Sequence, residues 1–493
     1  MTIVLDRKKA VPLYIQIKDH IQMLIERGSL KPNTRLPSTR KLASSLGVSR
    51  NVVIMAYQEL ESNGYIFSGI GSGTFVSKIM ARKSRWMGKT EKLKMNYKGL
   101  YAPNWNRFFS EAFTCIENIR NLDRSNRLIS FDPVVSDSTF PDIRNFKKSI
   151  NSALDSYGSL LLKSDSPRGF EPLLMYLKDY LSLKGINCDE ENIIVVNGTQ
   201  QGLSLLGRLF IDSGDTVTLE NMSYPGALSV FRALQANCIG IPINQNGIDL
   251  DILANVLRRR KVKLLYLIPT FHNPLGCVLP EDKREELLNI CMENQVVVIE
   301  DDYANGLSFH NREIAPLKAR DDYENVIYLG SFSETLSPAI RLSWVVAPKE
   351  IIRKLILIRK ASDLFTNPIL QASVVEYCRK GFLTRLIKKK ISTLKQKSES
   401  IDKAMRLYFP PEVYWEKSQG GLYQWVELPS RIDSLSLLLR TIKRNVIFAP
   451  DRFFSVEEWK KSGFRLSFNA VGEEQIEEGI KIIGDELKKM ISK

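Results

Sequence analysis

The sequence predicts two folds in one chain: a small winged helix-turn-helix over residues 1–77, and a larger α/β domain with a mostly parallel sheet over residues 126–493. Three observations predict this. The first is charge. The 493-residue chain carries a net +15, but residues 1–99 hold 18 Lys/Arg against 6 Asp/Glu, which leaves only +3 for the other 394. A basic first fifth on a nearly neutral body suggests a polyanion-binding module attached to something else. The second is a pair of short helical patterns about a glycine, followed by a glycine-rich hairpin pattern. The third is the alternation, from about residue 130, of short β-branched runs with longer amphipathic stretches.

The elements follow in order. Residues 12–27, PLYIQIKDHIQMLIER, place Ile15, Ile17, His20, Ile21, Leu24 and Ile25 mostly on one helical stripe, with Pro12 tolerated at a first turn and Gly28 as the stop. LPSTRKLASSLG opens with Ser38 as an N-cap, sets Leu42, Ala43 and Leu46 on a short apolar face, and ends at Gly47. Val48-Ser49 then starts RNVVIMAYQELESNG, with Val52, Val53, Ala56, Tyr57 and Leu60 facing in. Two short helices about a glycine-containing turn read as helix-turn-helix. YIFSGIGSGTFVS supplies two β-prone runs, Tyr65–Phe67 and Thr74–Val76, around a glycine-rich turn, which is a hairpin wing. Residues 78–98 carry eight Lys/Arg and one acid, so residues 78–125 read as a basic linker.

In the larger domain, Ile193–Val196, Leu264–Ile268, Val296–Ile299, Val326–Leu329 and Trp344–Ala347 read as strands bounded by polar turns. Ligands in such sheets bind beyond the carboxyl ends of the strands, and four polar clusters sit there. Gly198-Thr199-Gln200 follows Val196 and opens a helix, where free N–H groups suit a phosphate. Asn273-Pro274 follows the second strand, and Asp301 and Tyr303 follow the third. After the fourth comes GSFSETLSPAIR, in which hydroxyls and Arg341 have the makings of an anion site.

Composition narrows the classes. No apolar run approaches the ~20 residues that span a bilayer, and the N-terminus lacks the apolar region of a signal peptide. Six scattered cysteines without a C-x-x-C pair predict reduced thiols and a cytoplasmic protein, and three histidines argue against a zinc site.

The first domain resembles the GntR-type winged helix over LPSTRKLASSLGVSRNVV…AYQELESNGYI…GSGTFV. The resemblance implies a double-stranded DNA operator as partner. Arg40 would contact phosphate, Ser49, Arg50 and Asn51 would reach backbone and base edges, and Gly71 and Gly73 would let the wing approach the minor groove. The large domain resembles fold-type I pyridoxal-phosphate (PLP) aminotransferases over residues 130–490. That implies a three-layer α/β fold with a small α+β C-terminal subdomain.

The same resemblance implies roles for single residues. Gly198, Thr199, Gln200, Ser331 and Arg341 would hold the phosphate, and Tyr224 would stack on the ring. Asn273 and Tyr303 would bond the 3′-oxygen, Asp301 the ring nitrogen, and Arg465 a substrate carboxylate. One position departs. In that family Ser-x-x-Lys supplies the lysine that holds PLP covalently; here the position is Glu334, and a carboxylate cannot make that bond.

The fusion order resembles the MocR/GabR-type transcription regulators. It implies a homodimer that senses PLP or pyridoxamine phosphate, held non-covalently, or an amine or amino-acid effector. The alternative is a working aminotransferase with an accessory DNA-binding domain, which needs a substitute lysine; no other lysine lies in the motif.

Overall fold

The computed structural model describes residues 3, 5–6, 11–26, 29–69, 73–77, 128–132, 142–163, 166–304, 306–310, 314–457, 462–469 and 471–492. Gly71, Cys115 and the expected linker fall outside these. The chain divides into two compact units, within residues 1–100 and 101–493.

The first unit is α1 (Leu13–Glu26), α2 (Thr39–Leu46) and α3 (Arg50–Ser62), followed by the antiparallel pair β1 (Ile66–Gly69) and β2 (Gly73–Val76). Each boundary has a local cause. Ser38 caps α2 by accepting from the Lys41 N–H at 3.3 Å. Gly47 ends the helix in the left-handed region at φ 61°, where an L side chain is strained, and its N–H satisfies the carbonyls of the last turn. Ile17, Ile21, Leu42, Val53, Leu60, Ile66 and Val76 close one core. Each such side chain contributes about 1.5–3 kcal/mol when buried.

The second unit is built on a seven-stranded sheet. Its strands are β3 (Ile193–Val196), β4 (Thr216–Glu220), β5 (Asn237–Ile241), β6 (Val262–Leu267), β7 (Val297–Asp302), β8 (Val326–Ser331) and β9 (Ser343–Val346), in the order β3-β9-β8-β7-β6-β4-β5. All pairings are parallel except the two made by β9. Because β9 runs the other way, its first residue lies beside the last residues of its neighbours: Ser343 pairs with both Ser331 and Val196. Helices α4 (Thr199–Phe210), α5 (Pro225–Ala233) and α6 (Lys349–Lys360) pack their apolar faces on the sheet.

The long helix α7 (Phe382–Tyr408) leads into a second layer. There β10 (Tyr423–Leu428), β11 (Ala449–Pro450) and β12 (Ser462–Ser467) form an antiparallel sheet ordered β10-β12-β11, and α8 (Ile476–Ile491) packs against α7. Residues Ile129–Ser130 pair in parallel with Val446–Ile447, which brings Phe131 into this core. No helix among the described residues is long and apolar enough to cross a membrane.

Candidate functional site

In the first unit, Arg40 in the first turn of α2 and Ser49, Arg50 and Asn51 at the start of α3 are all exposed. Ser49 is the N-cap of α3, yet its hydroxyl makes no capping bond and is left to an outside partner. Arg50 is steadied by its Nε donating to Thr39 Oγ1 at 3.3 Å. The wing brings in a residue that the sequence reading did not single out. Arg35 pairs with Phe75, and its guanidinium lies over Gly73, where a Cβ would come within 2.9 Å of Nε. At φ 109°, Gly73 is also a position that other residues rarely adopt.

In the second unit, the strand ends bring the expected residues to one edge of the sheet. Gly198 at the head of α4 faces Arg341 so closely that a Cβ there would lie 2.3 Å from Nη2. Arg341 itself holds a left-handed conformation, φ 46° and ψ 43°, and is exposed. A non-glycine residue there costs on the order of 1–3 kcal/mol, tolerated where the surroundings over-determine it. Ser331 accepts from the Ser333 N–H at 3.0 Å and bonds Ser343 Oγ at 2.8 Å.

The base of this cup is braced by Asp363. It accepts from Asn197 Nδ2 and Gln201 Nε2, while Arg359 holds it at 3.3 Å and donates to the Val195 carbonyl. Gln200 plays a different part from the one its position implied. Its amide donates to the Gly226 carbonyl at 2.8 Å and so ties α4 to α5.

Three consecutive acids at the end of β7 separate by the alternation of a strand. Glu300 accepts from the Leu317 and Lys318 N–H groups, and Asp302 accepts from the Tyr328 hydroxyl. Asp301 accepts from Tyr266 at 2.8 Å through one oxygen only; the other, buried, has no partner. Burial, with the Asp302 charge adding to it, pushes the Asp301 carboxyl up to about 7 although Tyr266 pulls the other way. A buried carboxylate oxygen without a donor is what a protonated ring nitrogen would satisfy.

Asn273 and Arg465 are joined: Nη1 donates to Asn273 Oδ1 at 2.7 Å, so the amide nitrogen of Asn273 is the atom left for a ligand. Nη2 of Arg465 lies 3.5 Å from an Asp132 oxygen, and the guanidinium is sandwiched over Tyr423 (4.2 Å) and Phe454 (4.7 Å). The arginine expected to receive a substrate carboxylate therefore already holds one from its own chain. Tyr303 gives its proton to the Phe271 carbonyl at 2.6 Å, which leaves its oxygen only as an acceptor. The loop between these groups is fixed by Arg284, buried and bonded to the Pro269, Leu279 and Ala315 carbonyls.

Glu334 lies between Ser331 and Arg341, half-buried. Its carboxyl is held above the usual range by burial, opposed by Lys390, Arg465 and Arg341. Its charge in turn raises Tyr224, Tyr303 and Tyr423, each of which is raised first by burial. Glu334 follows the end of β8, and Asp301, at the end of the neighbouring β7, pairs with Leu329 of β8, so both acids stand at the same edge of the sheet. Lys390, on α7, was missed from sequence: its ammonium donates to the Glu334 backbone carbonyl across 56 residues of chain. Burial lowers its pKa and the Glu334 charge opposes that.

The chain is similar to known proteins over both units. The profile of bacterial regulatory proteins of the gntR family matches residues 13–76, and that of aminotransferase class I and II matches residues 161–483. Aromatic-amino-acid aminotransferase 1 of Thermococcus litoralis is 30% identical over 402 residues, 79% of this chain and 96% of that protein. YdfD of Bacillus subtilis, an uncharacterized HTH-type transcriptional regulator, is 26% identical over 499 residues and covers 99% of this chain and 98% of its own length. The probable rhizopine catabolism regulatory protein MocR of Rhizobium meliloti is 29% identical over 395 residues, 77% of this chain and 74% of that one.

Among solved structures, LysN, the alpha-aminoadipate aminotransferase of Thermus thermophilus complexed with N-(5'-phosphopyridoxyl)-L-leucine, superposes with a TM-score of 0.73 at 29% identity. It covers 81% of this chain and 100% of its own. The multiple substrate aminotransferase of Thermococcus profundus gives 0.75 at 30%, with the same coverage. The chain thus joins a gntR-type winged helix to a fold-type I aminotransferase domain, as the MocR-type regulators do, and belongs to the aminotransferase class I and II family.

Proposed function

We propose that the protein is a DNA-binding transcription regulator whose aminotransferase-like unit senses a small ligand of the vitamin B6 phosphate class without covalent catalysis. The observation that carries this reading is Glu334. In a cup whose other groups suit a pyridoxal-type ligand, the position from which the family's lysine bonds the cofactor holds a carboxylate.

The residues present fit such a ligand. The N–H groups at Thr199 and Gln200, with Gly198, Ser331 and Arg341, would hold the phosphate; the open face of Arg341 and the absent Cβ at Gly198 support that. The unpartnered oxygen of Asp301 would take the ring nitrogen, the amide of Asn273 and the oxygen of Tyr303 the 3′-substituent, and Tyr224 the ring face. When bound, the pyridine ring supplies an electron sink for bonds at an attached carbon. Using that sink needs a base that moves a proton at the carbon. Glu334 cannot both hold the ligand covalently and serve as that base.

The DNA-facing roles of Arg40, Ser49, Arg50, Asn51 and the wing glycines belong to the same proposal. A net +12 in the first 99 residues supports them, and exposure adds to this for Arg40, Ser49, Arg50 and Asn51. The division into a reader (1–77), a linker (78–125) and an effector unit (126–493) is part of it. So is a homodimer formed by the effector unit, because one winged helix reads too short a site for a useful specificity ratio.

The competing reading is a working aminotransferase, and Lys390 is the amine it would have to use. Borohydride treatment of the full chain with PLP, followed by mass spectrometry, separates the two. We expect no adduct. A stoichiometric pyridoxyl group on one pocket lysine, with transamination, overturns the regulator-without-catalysis reading. Selection of binding sites from genomic DNA, together with sedimentation of the complex, tests the reader and the dimer.

A further inference from the structure

We infer that the pocket selects the amine-bearing form of a vitamin B6 phosphate over its aldehyde and alcohol forms, with Glu334 as counter-charge to the ligand's ammonium and Lys390 as the residue that positions Glu334. This rests on the ligand class proposed above and deepens it.

The argument starts from what Glu334 touches. Its carboxylate forms no hydrogen bond or ion pair with any described residue, although Lys390, Arg465 and Arg341 lie near enough to act on it. Each of those cations is committed elsewhere or stands apart. The Lys390 ammonium donates to the backbone carbonyl of Glu334 rather than to its carboxylate. Arg465 is held by Asn273 and Asp132, and Arg341 lies against Gly198. A half-buried carboxylate that no described side chain satisfies is open to a ligand's donor, and a cationic donor satisfies it best.

Position decides which ligand atom meets it. Glu334 follows Ser331 by three residues and precedes Arg341 by seven, so it is bracketed by the anion cup. Asp301, which suits the ring nitrogen, pairs with Leu329 on the neighbouring strand, five residues before Glu334, so both acids stand at the same edge of the sheet. A ring lying between cup and Asp301 turns the substituent at its fourth carbon toward Glu334. An aldehyde there brings a lone pair against a carboxylate, a hydroxymethyl brings a neutral donor, and an aminomethyl brings an ammonium. Lys390 fixes the peptide of residue 334 from behind, so the carboxylate is left to the ligand.

The test is calorimetric titration of the full chain with pyridoxamine, pyridoxine and pyridoxal 5′-phosphates, which share ring and phosphate and differ only at that carbon. We expect pyridoxamine phosphate to bind roughly tenfold tighter than pyridoxine phosphate, the size of a charge-assisted bond, and pyridoxal phosphate to bind weakest. Glu334→Gln, which keeps the shape, should bring the amine and alcohol forms within about twofold. Lys390→Met should narrow the same ratio while pyridoxine phosphate binding holds, a change that a general loss of folding would not give. Equal affinity of the amine and alcohol forms in the unmutated protein overturns the inference and leaves the ligand class standing, as does a reducible pyridoxal adduct on Lys390. Failure of all three compounds to bind overturns the ligand class, and the inference with it.

Discussion

Replacing Asp301 with asparagine should make the ligand-free protein more stable at pH 8, while weakening the ligand it is proposed to hold. Burial keeps the Asp301 carboxyl at about 7 instead of the ordinary 3.8, outweighing the pull of Tyr266 and of the nearby Tyr303 N–H. That difference is about a thousandfold in proton affinity, or on the order of 4 kcal/mol. The sign follows from proton counting. Between the two pKa values the folded state retains a proton that the unfolded chain has released, so stability is lost as pH rises and the full loss is reached above about 7. Asparagine accepts the Tyr266 hydroxyl equally well and carries no charge. Its advantage should approach ~4 kcal/mol at pH 8, fall to roughly 1–2 kcal/mol at pH 5, and vanish below the ordinary carboxylate range. Neighbouring acids Glu300 and Asp302 share the burial, so the direction and its decline with falling pH carry the test. Urea unfolding followed by tryptophan fluorescence reads mainly the second unit, since five of the six tryptophans lie beyond residue 100 and the sixth is Trp86. A variant no more stable than the parent at pH 8, or one whose advantage grows toward acid, would refute the reasoning.

Two further outcomes are expected. Arg50→Ala should weaken operator binding by ~1–3 kcal/mol if the side chain reads a base; a loss equal on all sequences, with a salt slope lower by about one, would assign it to phosphate instead, as mobility shifts over a salt series can show. Gly198→Ala puts a methyl 2.3 Å from Arg341 Nη2 at a φ of 85°, so it should cost about 1–2 kcal/mol of stability and at least ~10-fold in affinity for any phosphorylated ligand. Unchanged calorimetric affinity in that variant would remove Arg341 from the anion site.

Much of this was legible in the sequence because the signals are local. The helix limits at Ser38, Gly47 and Ser49, the wing, and five strands of the sheet follow from caps, glycines and β-branched runs, and fall within a few residues of where the chain places them. The strands Thr216–Glu220 and Asn237–Ile241 escaped. TVTLE mixes polar with apolar residues, and NCIGI is a half-buried edge strand with a glycine one residue before its end. What the sequence could not show were partners distant along the chain. Lys390 closes a run of three lysines whose first two are exposed, and such a run reads as a solvated face until α7 is laid against residue 334. Asp132 gives no sign that it reaches Arg465, and Gln200, correct in place, turns its amide to α5.

The contact between Asp132 and Arg465 sets a threshold. A carboxylate carried on the same chain competes like a solute fixed at an effective concentration of roughly millimolar. A ligand that brings its own carboxylate to Nη2 of Arg465 must outbid that internal competitor, by abundance or by the rest of its contacts. Asp132 follows the strand Ile129–Ser130, which pairs with Val446–Ile447, and the Phe131 carbonyl between them accepts from the Ser467 N–H. Displacing Asp132 would loosen the hold on the strand Ile129–Ser130, so occupancy at Arg465 competes with a tie inside the second unit's own core.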